Sequence, residues 1–195
     1  MADDFINYVQ NRWTAFAQFG IWILAVAGTF LVEPPLLTYS DASSVLPFTR
    51  FVIAGLTAIL IIPAKKKSGK TDYRLWHTLS ILFFIGFLLC AVRYYTMSLN
   101  WGVRFYNQTL VRGSNMLQEA AKYKDTVAVL LGKPSVDDGD MVKARHGETQ
   151  TIWPIGELKR RYYIMVVTYI GTVVLLAVFL VAVIQAIYCY EKKGE

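Results

Sequence analysis

The residues that first suggest chemistry are Ser68-Gly69-Lys70-Thr71, in the stretch "IIPAKKKSGKTDY". They carry the Gly-Lys-Thr tail of a phosphate-binding loop behind an apolar run. A Walker A loop needs glycine at its first position so that successive backbone N–H groups can wrap a phosphate. Ala64 stands there, and Pro63 closes the preceding run as a helix, not as a buried strand. No acidic Walker B strand follows. The stretch therefore reads as a basic turn that pins a membrane segment.

A second set lies in "SVDDGDMVKARHGETQTIWP", where Asp137, Asp138, Asp140, His146 and Glu148 have the ligand types of a divalent-cation site. The alternating Asp/Asn order and closing Glu of an EF-hand are absent. His146-Gly147-Glu148 has the H-x-E form used by zinc deaminases, but no Pro-Cys-x-x-Cys follows. The segment reads as a solvated loop. Cys90 and Cys189 both fall in apolar segments, away from any zinc spacing or disulfide framework. There are two histidines, no G-x-S-x-G and no H-E-x-x-H. The sequence thus nominates no catalytic residue, metal site or cofactor, and the chain reads as non-enzymatic. Asn107-Gln108-Thr109 fits the N-glycosylation pattern, but it falls in a stretch read as helix and is taken as a chance match.

The elements that would position any site are membrane elements. The 195 residues are 55% hydrophobic and only 17% charged, against about a quarter charged in an ordinary soluble domain. The deficit is concentrated in four apolar segments. These run from Thr14 to Val32, from Pro47 to Pro63, from Trp76 to Tyr95 and from Tyr162 to Tyr190. A bilayer core needs about 20 apolar residues of helix. Tyr94, Tyr95, Tyr162, Tyr163, Tyr188, Tyr190, Trp13 and Trp76 form a candidate interfacial belt. The expected fold is all-α, a polytopic membrane protein with four transmembrane helices and one long, mainly helical loop. Its parts are an N-terminal amphipathic segment (1–13), transmembrane helices one to three (14–95), the long loop (96–161), the fourth helix (162–190) and a tail (191–195).

Lys65, Lys66, Lys67, Lys70 and Arg74 crowd the loop after the second segment, whereas residues 33–46 hold no Lys or Arg. The positive-inside rule then puts both termini and the basic loop in the cytoplasm and residues 96–161 outside. A bacterial inner membrane is the expected location. The net charge of +6 sits beside apolar blocks, which favours anionic lipid headgroups as partners. No nucleic-acid module is present, so no direct nucleic-acid binding is expected. Lys65, Lys66, Lys67, Lys70, Lys159, Arg160 and Arg161 are the headgroup candidates. Glu33, Arg50 and Arg93 fall at similar depth and are read as a pairing set at the outer rim.

Within the long loop, Leu99, Val103, Tyr106, Leu110, Gly113, Leu117, Ala120, Lys124, Val127 and Leu131 recur every three or four residues. That spacing predicts one helix face with a period near 3.5. The first seven of these are the candidate contact with a second copy of the chain. Gly132 and Pro134 then stop the helix. In the fourth segment, Thr168 and Thr172 share a face while Gln185 lies roughly 140° away. That polar stripe is too poor to line a standing pore.

The order of loops (short outside, basic inside, long outside) is also that of tetraspanins, whose long loop holds a Cys-Cys-Gly motif lacking here. It is similar in layout to small four-span subunits of bacterial phage-defence and stress-response systems, without a motif that ties it to one. The expected function is a non-enzymatic, homo-oligomeric membrane sensor or scaffold that works with a cytoplasmic protein partner. A pore or permeabilising effector is the alternative, and an assembly subunit of a larger complex is a third reading.

Overall fold

The structure is a computed structural model that describes residues 34–61 and 73–194, with the side chains of all but 42–46, 57–61, 187–188 and 191–194. The first apolar segment, Glu33 and the lysines of the basic loop lie outside the described residues. The elements are α1 (Ala42–Ile61), α2 (Tyr73–Trp101), β1 (Gly102–Phe105), β2 (Gln108–Val111), α3 (Gln118–Leu131), α4 (Asp138–Ala144) and α5 (Ile155–Gly194). Short 3-10 turns at Tyr39–Asp41 and Thr149–Thr151 complete them.

Among the described residues, two helices are long and apolar enough to cross a membrane, Tyr73–Trp101 and Ile155–Ala186. At 1.5 Å per residue α2 is about 44 Å long, well beyond a hydrocarbon core of about 30 Å. Its surface carries Leu82, Leu89 and Val92 at 60%, 68% and 65% exposure. Such a surface is stable against lipid and costly against water. α1 has Pro47 inside it and a shorter apolar run, Pro47–Leu56.

The chain divides into two compact units. In the first, drawn from residues 50–89 and 170–195 among those described, Trp76 packs with Ala182, Ala186 and Cys189. Ala182 and Ala186 are four apart, so both point the same way, and their small side chains admit the indole. Phe84 stacks on Phe179 with centroids 5.1 Å apart.

The second unit, formed among the described residues by residues 34–49 and Cys90–Tyr169, is called the head below. α2 ends at Trp101, and the chain turns into an antiparallel hairpin in which Val103 pairs with Leu110 and Phe105 with Gln108. The protein is mainly helical, as expected, and carries a two-stranded hairpin in the head where a continuous helix was expected. Leu36 extends the hairpin in parallel. Its N–H donates to the Thr109 carbonyl (3.0 Å) and its carbonyl accepts from the Val111 N–H (2.9 Å). The Thr149 hydroxyl donates to the Leu37 carbonyl at 2.5 Å. Leu110, Val111, Met141, Val142, Ile152, Trp153, Leu158 and Met165 form the head's interior, all 0–1% exposed. Residues 34–49, up to the start of the second apolar segment, therefore fold with the long loop.

α3 stops as expected: Gly132 takes the left-handed conformation (φ 61) and its N–H donates back to Val129. α4 starts with a reciprocal cap. Asp137 accepts from the Asp140 N–H at 2.7 Å, while Asp140 reaches back to the Asp137 N–H. Gly147 (φ 84) turns the chain after α4, where an added Cβ would lie 2.7 Å from Tyr39 Cβ.

Candidate functional site: a charged cleft in the head

Four segments of the head meet around a cleft of about 250 Å³. The last turn of α2 supplies Asn100 and Trp101, the end of the hairpin supplies Arg112, Gly113 and Ser114, α4 supplies Asp138, and α5 supplies Arg161. Local chemistry explains why they meet. An added Cβ at Gly102 would press on the Ser98 carbonyl and lie 2.9 Å from Thr109 Cγ2, so glycine lets the strand leave the helix end at a sharp angle. The Arg112 N–H donates to the Trp101 carbonyl at 2.8 Å and draws the hairpin back onto that end. Gly113 lies flat on Trp153, with no room for a Cβ. Pro154 precedes α5, and its carbonyl accepts from the N–H groups of Glu157 and Leu158 at 3.1 Å each.

The side chains are held by ion pairs. Arg112 Nη1 lies 2.5 Å from Asp138 Oδ2, and Arg112 Nε donates to the Asn100 carbonyl at 3.0 Å. Arg161 Nη1 donates to the Arg112 carbonyl at 2.9 Å, and Nη2 lies 2.8 Å from Glu157 Oε1 and bonds the Ser114 hydroxyl. Glu157 also accepts from the Ser114 N–H at 2.9 Å. The Arg161 guanidinium stands 5.4 Å from the Trp101 ring centre, within cation–π range. Arg112 and Asp138 keep 35% and 27% of their side-chain surface. Both signs of charge are thus fixed side by side in a partly open cleft.

A third ion pair braces the head nearby. Lys133 Nζ donates to both Asp140 oxygens at 2.8 Å each. The Lys133 hydrogen bond holds the Asp140 carboxyl below its ordinary range, against the opposing effect of desolvation, with the Asp137 N–H adding to the lowering. The same bond raises Lys133, again against desolvation. The three aspartates named as cation ligands are accordingly committed to a helix cap (Asp137), to Arg112 (Asp138) and to Lys133 (Asp140). Among the described residues, no group of three His, Cys, Asp or Glu converges on a point.

The predicted contact face fares differently residue by residue. Leu99 ends α2 at 62% exposure, and Tyr106 stands at the hairpin turn at 78%. Val103 and Leu110 are strand partners, with Leu110 fully buried. Gly113 touches Trp153, Ala120 is buried within α3, and Leu117 precedes that helix. The helix expected to align them does not exist between Gly102 and Val111, because the chain there is extended. The headgroup set is divided as well: Lys159 and Arg160 are exposed, but Arg161 keeps only 16% of its surface and faces the head. Arg50 and Arg93 are exposed, and neither forms an ion pair among the described residues. Asn107 sits on an exposed hairpin turn, not on a helix.

The cleft residues Asn100, Trp101, Arg112 and Ser114 were not singled out by sequence, and Asp138 entered only as a candidate cation ligand. The available signal was the spacing of Gly102 and Gly113 around "VRFYNQTLV", which is rich in β-branched and aromatic residues. No protein-family model, curated protein or solved structure matches the chain.

Proposed function

We propose that this chain is a non-enzymatic multi-pass membrane module that presents an extracytoplasmic head and passes its state to a cytoplasmic protein partner. One observation carries the reading: residues 34–49 and the long loop are hydrogen-bonded into a single compact unit, and two helices of the chain are long and apolar enough to span a bilayer. Segments that share a fold share a side of the membrane. The chain between them must then cross an even number of times, as the second and third apolar segments would provide. The basic loop falls on the opposite side, which supports a cytoplasmic position for it and for both termini. Four spans, a bacterial inner membrane and a homo-oligomeric state belong to the same proposal, as do anionic headgroups at Lys65, Lys66, Lys67, Lys70, Lys159 and Arg160.

The polar residues of α5 lend little to a pore. Thr168 bonds its own helix at the Ile164 carbonyl (2.8 Å), and Thr172 and Gln185 are 5% and 3% exposed. A head with a charged cleft suits a sensor or scaffold better. The test is copurification from native membrane in mild detergent with mass spectrometry of what accompanies the chain. A cytoplasmic protein in fixed ratio is the expected result. A pure homo-oligomer that conducts ions in planar bilayers would replace this reading with the pore.

A further inference from the structure

We propose that the cleft in the head binds a small dipolar group with an oxyanion at one end and a primary ammonium at the other. The argument starts from hydrogen-bonding capacity. A guanidinium has five N–H donors. Arg112 directs Nε to Asn100 and Nη1 to Asp138, so its Nη2 has no protein acceptor among the described residues. Asp138 accepts through Oδ2, and its Oδ1 has no protein donor among them. Both residues line the same cleft, together with Asn100 and Trp101. An oxyanion fits the Arg112 guanidinium in charge and donor type, and an ammonium fits Asp138.

The charge balance decides between a dipole and a simple ion. Arg112 and Arg161 are opposed by Asp138 and by Glu157, which pairs with Arg161. Neither a bare anion nor a bare cation meets an uncompensated opposite charge there, whereas a dipole meets both signs. Size narrows the class. A volume of about 250 Å³ equals roughly eight waters at ~30 Å³ each. That suits a group of the size of phosphoethanolamine.

Two sources share this chemistry, a free zwitterionic solute and the headgroup of an aminophospholipid. The lipid source rests on the membrane reading given above; the dipole chemistry stands without it. Trp101 lies six residues beyond Tyr95, about 9 Å along the helix, near the outer margin of a headgroup layer.

The test is calorimetric titration of O-phosphoethanolamine into the full-length protein in phosphate-free detergent solution. Ethyl phosphate and ethylamine, each with one end of the dipole, serve as comparisons. Saturable binding of phosphoethanolamine, at least about tenfold tighter than either half, is the expected result. Asp138→Asn should weaken it about tenfold. Asn100→Phe fills the cleft while leaving every described ion pair in place, and should abolish binding with no change in the melting temperature of the head. Absence of saturable heat, equal binding of ethyl phosphate, or undiminished binding in Asn100→Phe would each overturn the proposal.

Native mass spectrometry from nanodiscs of phosphatidylethanolamine or phosphatidylcholine then separates the sources. Retained phosphatidylethanolamine that soluble headgroup displaces supports the lipid. Retention of neither lipid, with intact binding of the soluble compound, supports the free solute. Failure here is distinct from failure of the functional reading. A cytoplasmic partner that copurifies with a chain indifferent to phosphoethanolamine removes this inference alone. Binding without a partner removes the sensor alone.

Discussion

At the scale of single residues, Gly113 is a steric position. Sequence periodicity assigns it to a seam between copies, but an added Cβ would lie 2.7–2.8 Å from Trp153 atoms inside one protomer. Gly113→Ala should therefore destabilise the head by about 1–3 kcal/mol through overpacking, seen as a lower melting temperature whatever the oligomeric mass. A variant that loses its multimer at an unchanged melting point would restore the seam. Asp140 gives the second residue-scale prediction. Its carboxyl is held below the ordinary value of 3.8, so its contribution to stability is present above that pH and is lost as pH falls through the folded value. Lys133 is raised above 10.5, and its share is present below that pH and lost as pH rises through the folded value. The melting difference between wild type and Asp140→Asn should be flat through neutral pH and close in acid. A difference that persists at the acid end would argue that the pair is not its source.

At the scale of elements, the helices were legible and the hairpin was not. α2 and α5 announce themselves by long apolar runs, and the end of α3 by Gly132 and Pro134, because helix length and helix stops are local properties. Residues 102–111 misled because Val103, Tyr106 and Leu110 fit a helical spacing as well as a strand alternation. Their turn, Tyr106-Asn107, lacks the glycine that usually marks a two-residue hairpin. Tyr106 takes φ 51 without glycine's freedom, with its ring 4.6 Å from Phe105 and 6.0 Å from Tyr39. Aromatic contacts from a distant segment, invisible to local pattern, offset the strain. The cleft was illegible for the same reason: its residues come from four segments that only the tertiary fold brings together. The α4 cap supplies the element-scale prediction. Asp137→Ala removes the acceptor for the Asp140 N–H and should cost about 0.5–2 kcal/mol, read as a drop in head melting. Asp137→Ser should recover most of it, and equal losses for both variants would rule out the cap as the cause.

At the scale of the whole chain, the proposed membrane arrangement rests on the joined loops. With Cys90 and Cys189 replaced by Ser, single cysteines at the exposed positions Ser40 and Ser135 should react alike with an impermeant thiol reagent in intact cells. Opposite behaviour would break the shared-side argument, and labelling of both only after lysis would invert the orientation. The Leu37–Thr149 bond also has a temporal meaning, since its partners are 112 residues apart in sequence. At 5–20 residues per second, a nascent chain waits roughly 6 to 22 s between making one partner and making the other. Leu36 must wait for β2 and Leu37 for Thr149, so no portion of the early chain can complete the head by itself. Assembly of the head is thus a late event in biosynthesis, and a chain halted before Gln108 should leave the Leu36 N–H open to hydrogen exchange.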